Sequence, residues 1–331
     1  MEYISVSDIT KLQLHIYILG YFPMGESVLC VIWDEKDHIV HKSLLIDCFE
    51  HDHINQMTDV LNNYNINDRK LDFVIWTHPD LDHSVGFSNI VDRYCSRNTI
   101  CLMPDGINRN LFSHPYKEVF RSWFSFTRAK ILKHNIERVN SSNKRKYPTT
   151  YSGINFSDGY NDDLEFDLEI LTPFASHSFS KLEINKHHKG NDISISLILR
   201  FGNQKYYFGG DSENDAIKMI EPQKLNNIFF VKIPHHASRT STILPKVLES
   251  IKNDGMMEEA ISVSTSFKTG NANLPDNNVL DLYKTFSSKI LLTEGCPHVN
   301  NYGIWKIIYG VQPLKIEAQE AYGDASQYFA R

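Results

Sequence analysis

The 331-residue chain predicts an α/β fold, in which short apolar strands alternate with amphipathic helices along most of its length. Three observations carry that reading. Apolar residues make up 41% and aromatic residues 12%, enough to bury a core in one large two-layer or four-layer domain, or in two smaller ones. Runs of four to eight apolar residues recur between Gly, Pro, Asn and Asp punctuation. Segments with apolar residues three and four apart lie between those runs.

The elements follow in order. Residues 12–34 show two alternating apolar runs broken between Gly20 and Gly25, a strand pair with a glycine-rich turn. Residues 43–48 form a third strand with Asp47 near its end. Residues 53–64 carry helical spacing at Ile54, Met57, Val60 and Leu61. Phe73-Val74-Ile75-Trp76-Thr77 reads as a buried strand, 85–94 as a helix and 99–103 as a strand. Residues 105–150 differ, with Phe112, Phe120, Trp123, Phe124 and Phe126 preceding the basic run Lys144-Arg145-Lys146. They are expected to be a helical insertion that packs over a sheet edge and shapes a substrate cleft. The second half predicts strands at 164–171, 193–200, 204–209, 228–233, 260–265 and 289–293, with helices at 213–220, 242–253 and 277–287. Residues 1–313 are read as a single domain, and the polar residues 314–331 as a loosely held tail.

Composition narrows the function. A formal net charge of -6 argues against a generic nucleic-acid coat, which needs Lys and Arg to neutralise phosphates. No run of eighteen apolar residues and no basic flank with an apolar stretch is present, so neither a membrane span nor a signal peptide is expected. The five cysteines, Cys30, Cys48, Cys95, Cys101 and Cys296, are scattered and lack CxxC pairing. They read as buried thiols in a reducing, cytoplasmic compartment.

Chemistry concentrates at strand ends. The first cluster is His78-Pro79-Asp80-Leu81-Asp82-His83, directly after the strand 73–77. Four potential ligands this close repel one another and lose hydration unless a cation compensates them, so a metal, and more naturally a pair, is implied. A helix N-cap explains Asp82 alone but not all four residues. The second element is Tyr206-Tyr207-Phe208-Gly209-Gly210-Asp211, which delivers an acid at a strand tip through two glycines. The third is Lys232-Ile233-Pro234-His235-His236-Ala237-Ser238-Arg239-Thr240. One imidazole of that pair can ligate while the other contacts substrate, and Ser238 and Arg239 can bind an oxyanion.

These motifs resemble the metallo-β-lactamase fold superfamily over roughly residues 12–295. Its HxHxDH signature is matched as His78-x-Asp80-x-Asp82-His83, with Asp80 in place of the second histidine. That variant is similar to the hydrolase domain of the competence protein ComEC and its soluble relatives. Leu44 to Asp47 resembles the superfamily's first strand-end motif, and Gly20 to Ser27 its glycine-rich turn. Asn191 to Leu197 resembles its Asn-x-x-Ser strand, and Gly209-Gly210-Asp211 its Gly-Asp element. Pro234-His235-His236-Ala237-Ser238 resembles its His-His-Gly-Ser motif, with Ala237 replacing glycine. The segments 263–266 and 290–293 resemble its closing strands. Two departures stand out. No histidine is plainly placed as the third-motif ligand, since His134 lies in an expected helix and His177, His187 and His188 in loops. Asn273-Leu274-Pro275 stands where relatives often carry Gly-His-Pro.

The resemblance implies an αββα sandwich of two mixed sheets with the site at one edge. It implies a metal-dependent hydrolase, foremost a phosphodiesterase or nuclease. His78, Asp80 and Asp211 would hold one metal; Asp82, His83, Asp211 and one of His235 or His236 the other. A bridging water, deprotonated to hydroxide, would attack phosphorus. Asp82, His236 and Ser238 are expected at the reacting atoms, and Asn191, Ser238 and Arg239 at the substrate. The carboxylate-rich ligand set keeps Mn2+ in competition with Zn2+. Two other readings remain open at this stage. One is cleavage of a carbon ester, lactone or thioester; the other is a catalytically degenerate, metal-bound sensor or partner subunit.

Overall fold

The strands pair into two mixed sheets that lie face to face, with helices against their outer surfaces. The computed structural model describes residues 2–51, 56–104, 119, 135–139, 150–174, 190–251, 260–294, 300–311 and 314–329. In chain order the strands are β1 (Glu2–Ser5), β2 (Leu12–Tyr21), β3 (Glu26–Asp34), β4 (Ile39–Ile46), β5 (Phe73–Ile75), β6 (Ile100–Pro104), β7 (Asn135–Val139), β8 (Thr150–Ser157), β9 (Leu164–Ile170), β10 (Leu197–Phe201), β11 (Gln204–Phe208), β12 (Ile228–Lys232), β13 (Ile261–Ser264), β14 (Lys289–Leu292), β15 (Tyr302–Val311), β16 (Leu314–Gly323) and β17 (Ser326–Gln327). One sheet has the order β16-β15-β2-β3-β4-β5-β6-β7, the other β1-β8-β9-β10-β11-β12-β13-β14-β17.

The two-residue period of a strand explains the layering. Leu14, Ile16 and Ile18 of β2 join the core between the sheets, where they meet Leu197 and Leu199 of β10 and Phe208 of β11. Their alternates Tyr17, Leu19 and Tyr21 join a second core on the outer face. There the helices Gln56–Asn63 and Phe87–Tyr94 supply Met57, Leu61, Phe87 and Ile90. On the far side of the other sheet, Ile198, Tyr207 and Val231 pack against Leu244 and Leu248 of the helix Ile243–Ser250 and Leu280 and Tyr283 of the helix Asn277–Tyr283. All ten residues of β2 are buried because both of its faces are covered. This is the αββα sandwich that the sequence resemblance implied. Among the described residues no helix is long and apolar enough to cross a membrane.

Four expectations are corrected. Residues 135–139, read as part of a helical insertion, form β7, which pairs parallel with β6. The residues read as a tail form β16 and β17, and β15, unanticipated, pairs with β2 on one side and β16 on the other. β16 is an edge strand, so its exposed and half-exposed polar positions hid its period; Ile307 of β15 is fully buried. The strand expected at 193–200 starts only at Leu197, because Gly190–Ile193 is a 3₁₀ turn and Ile195 N donates to Thr77 O of the other sheet. β1 also escaped the sequence reading; it is four residues long and mostly exposed. Phe112, Phe120, Trp123, Phe124, Phe126, residues 144–146, His134, His177, His187 and His188 lie outside the described residues.

Two tests follow from the packing. Ile307→Ala should lower stability by about 2–5 kcal/mol in urea unfolding, the usual range for a buried Ile truncation; a neutral result would put β15 outside the core. His15 on β2 is buried between Tyr64 OH (2.5 Å from Nδ1) and Gln13 Oε1 (2.8 Å from Nε2), and burial, helped by Lys306, pushes its pKa down to about 3. Its folded pKa lies below its unfolded value of 6.5, so this neutral pairing contributes fully above that pH and is lost as pH falls toward about 3. His15→Gln should therefore flatten the fall in urea midpoint between about pH 6 and 4; an unchanged slope would rule this assignment out.

Candidate metal centre

Within each sheet the strands that carry the motifs run parallel to their neighbours: β4 with β5, and β11 with β12. Their carboxyl ends therefore emerge at one edge, where open α/β sheets place their ligand sites. Asp47 follows β4, the His78–His83 loop follows β5, Asp211 follows β11, and His235 and His236 follow β12. Two glycines let these tips close together. A Cβ on Gly209 would lie 2.6 Å from Pro234 Cβ, and Gly210, at φ +48°, would place one 2.5 Å from Ile195 O. Bonds then stitch the tips: His235 N donates to Gly210 O at 2.9 Å and Asp211 N to Ser194 Oγ at 2.8 Å.

Asp211 stands in the middle. Its Oδ1 is 3.4 Å from His83 Nε2 and 3.8 Å from His236 Nε2. Its Oδ2 is 3.8 Å from both His78 Nε2 and His235 Nε2. Asp82 Oδ2 lies 3.2 Å from His83 Nε2 and 3.0 Å from His236 Nε2, and Asp80 Oδ2 lies 3.6 Å from His78 Nε2. Asp82, His83, Asp211 and His236 offer one ligand atom each within 4.8 Å of one another, all buried. Glu26, Asp47 and His83 form a second such group, which shares His83.

Every ring is anchored by its other nitrogen. Nδ1 meets Thr77 Oγ1 at 2.9 Å in His78, Asp47 Oδ2 at 2.7 Å in His83, Thr240 Oγ1 at 2.9 Å in His235 and Thr265 Oγ1 at 2.8 Å in His236. Asp47 does this twice over. Thr77 Oγ1 donates to Asp47 Oδ2 at 2.5 Å, so its lone pairs are left to accept from His78 Nδ1. The Nε2 atoms are thereby turned toward the aspartates, the arrangement that supports metal-bound imidazoles. His78 Nε2, His83 Nε2 and Asp211 Oδ1 are buried and make no hydrogen bond. Buried polar atoms of this kind call for a partner, and mixed imidazole and carboxylate donors fit a divalent cation.

The electrostatics agree. Burial opposes the charged form of His83, but Asp82, Asp211, Glu26 and Asp47 around it raise its pKa well above the ordinary value. Burial likewise works against the Asp211 carboxylate, yet His83, His236 and His235 hold it well below the usual range. Asp82 is lowered against its own burial chiefly by His83 and His236. The acids together draw positive charge into the centre.

The backbone at the site is strained. Asp47 (φ 54°), His235 (φ 47°), His236 (φ 50°) and Ala237 (φ 58°) all adopt the left-handed region. Non-glycine residues held there cost of order 1–3 kcal/mol each and concentrate at functional sites. Ala237 occupies a position where the resembling motif carries glycine, and it accepts that conformation with its own side chain fully buried.

The other site residues read from the sequence fall less centrally. Asn191 is buried, with Nδ2 3.2 Å from His235 Nε2 and 3.4 Å from Glu213 Oε1, and with Oδ1 unpaired. Ser238 accepts from Thr240 as the cap of the next turn, and Arg239 Nε donates to Asp276 Oδ2 at 2.5 Å with its side chain mostly exposed. Among the described residues no hydrogen bond or ion pair joins either side chain to the imidazoles. Sequence reasoning missed Glu26, Thr240, Thr265 and Glu213 as neighbours of the rings, and Lys232 as the partner of Glu26. A lysine inside the apolar run of β12 was the one legible signal, since a buried lysine needs a carboxylate.

No family model matches the chain, and no curated protein matches it. Among solved structures it is similar to the metallo-β-lactamase fold protein YhfI from Bacillus subtilis, with 11% identity, covering 89% of this chain and 100% of that one, at a TM-score of 0.43. At that identity and score the likeness adds nothing to what the sheets and side chains define by themselves: an αββα sandwich with a buried His/Asp cluster suited to metal.

Gly190 offers a test of the cluster. A Cβ there would lie 2.3 Å from Asp80 Oδ1 and 3.0 Å from His78 Cδ2. Gly190→Ala should displace Asp80 and lower metal affinity by about tenfold, the scale of a lost supporting contact, with circular dichroism unchanged. Unaltered metal titration would show that Asp80 takes no part.

Proposed function

We propose that this chain is a metal-dependent hydrolase that cleaves phosphodiester bonds. The observation that supports it is the convergence of four anchored imidazoles, by their Nε2 atoms, on Asp211, Asp80 and Asp82. Asp82, His83, Asp211 and His236 would hold one divalent cation, and His78, Asp80, Asp211 and His235 a second. On this reading both members of the histidine pair ligate, one on each side of Asp211. His235 thereby supplies the nitrogen that the sequence lacked in its third motif. Zn2+ and Mn2+ both suit the mixed donor set. When bound, such cations acidify water and neutralise charge that develops on an oxyanion.

The chain's own groups supply the remaining steps. Asp82 Oδ2 is the acceptor that orients a nucleophilic water. Asn191, buried beside His235 with a free Oδ1, is placed to hold a donor on the substrate or its water. The buried floor formed by His78, His83 and Asp211 limits access to the open side, where Asp80 is half-exposed. The phosphodiester part of the reading rests on Asp80, a hard oxygen donor where the resembling superfamily places an imidazole. Nucleic acid or a nucleotide would supply that bond.

The test is metal content measured alongside cleavage of single-stranded DNA, RNA, a chromogenic phosphodiester and a chromogenic carbon ester. Metal-stimulated phosphodiester cleavage is expected. Asp211→Asn should lower it by more than the ~10–100-fold that loss of a merely supporting contact costs. Cleavage of the carbon ester alone would shift the substrate class. Bound metal without turnover on any of the four would leave a metal-bound sensor as the better description.

A further inference from the structure

Glu26 opens β3, an interior strand of one sheet, and Lys232 ends β12 in the other. Their charged ends pair across the sandwich with almost no solvent access, 3% for Glu26 and 1% for Lys232. The ammonium of Lys232 held against it makes Glu26 an acceptor-only carboxylate. Such pairs are poor stabilisers, since desolvation cancels much of their attraction and apolar replacements are often neutral or better. Bridging the sheets is therefore a weak reason for this one to exist. What surrounds it gives a stronger reason.

Thr265 Oγ1 lies 2.5 Å from Glu26 Oε2 and 2.8 Å from His236 Nδ1. A hydroxyl has one proton to give. An ionised carboxylate is an acceptor only, so that proton goes to Glu26. Thr265 can then only accept from His236, which fixes the ring proton on Nδ1. Nε2 is hydrogen-bonded to Asp82 Oδ2 at 3.0 Å and lies 3.8 Å from Asp211 Oδ1, so it is the nitrogen whose proton a cation held by these carboxylates would displace. The other oxygen of Glu26 lies 3.7 Å from His83 Nδ1, beside the bond from that ring to Asp47. The relay repeats the one by which Asp47 acts on His78 through Thr77.

We propose that Glu26, with Lys232 as its counter-cation, is a positioning residue that fixes the His236 tautomer through Thr265 and so presents Nε2 to metal. The inference rests on the reading that His236 is a metal ligand. Lys232 has a defined part in it: it anchors the carboxylate at the Thr265 hydroxyl. A glutamine at position 26 could turn its amide NH2 toward Thr265. The hydroxyl proton would then be free to point at His236 Nδ1, the wrong arrangement for ligation by Nε2.

The experiment compares full-length wild type, Glu26→Gln, and Glu26→Gln with Lys232→Met. Zinc affinity is measured by competition with a chromophoric chelator, and stability by urea unfolding in EDTA. Glu26→Gln should lose about 10–100-fold in zinc affinity. The double variant, which leaves no unpaired charge, should regain stability in EDTA yet keep the loss in zinc affinity. If the double variant binds zinc as wild type does, the pair is only a structural link and the proposal falls, while the metal reading stands. If wild type itself takes up neither zinc nor manganese, the metal reading fails and takes this inference with it. Ring 15N spectra of zinc-loaded wild type decide the matter even where a variant does not fold. A proton on His236 Nδ1 is expected, and its absence would overturn the relay.

Discussion

One buried carboxylate organises the candidate metal centre. Asp211 separates two pairs of imidazoles, with His83 and His236 facing one oxygen and His78 and His235 the other. A lone carboxylate in that position would be costly, because burial removes its hydration. It is tolerable only where compensating groups surround it, and the rings that face it come from both sheets. The face-to-face packing of the sheets, the parallel run of β4 with β5 and β11 with β12, and the close tips allowed by Gly209 and Gly210 all serve that placement.

The rings are held from behind rather than from the front. Each Nδ1 has a protein partner, and Asp47 and Glu26 reach through threonines as well as directly. This turns every Nε2 toward the aspartates, with Asn191 Nδ2 also 3.2 Å from that of His235. The left-handed backbone at Asp47 and through His235-His236-Ala237 is part of the same design. It turns two adjacent histidines to opposite oxygens of Asp211, which an extended or helical pair could not do from a single strand tip. The strain is offset by the hydrogen bonds that fix the rings and by His235 N to Gly210 O.

Much of this was legible in the sequence, and the reasons are local. The strands that feed the site are short apolar runs ending in glycine, proline or acid, so β4, β5, β11 and β12 and the residues at their tips could be placed by pattern alone. The C-terminal strands could not. β16 is polar because it is an edge, and β15 gains its meaning only from pairing with β2. Asn191 was found through a strand motif, but the segment around it leaves the expected strand to reach Thr77 in the opposite sheet. Arg239 looked like an anion ligand by its neighbours in sequence, whereas Asp276, thirty-seven residues on, takes its guanidinium.

The sequence alone determined the α/β class, the strand tips that bear polar clusters and the candidate donors His78, Asp80, Asp82, His83, Asp211 and one of His235 or His236. Those follow from short-range pattern and from the mutual repulsion of clustered ligands. Only the tertiary structure decided which histidine faces which oxygen, and that Glu26, Lys232, Thr77 and Thr265 stand behind the rings. Those contacts join residues as far apart as Glu26 and Thr265 across two sheets. Their geometry depends on backbone turns and side-chain hydrogen bonds that no local spacing encodes.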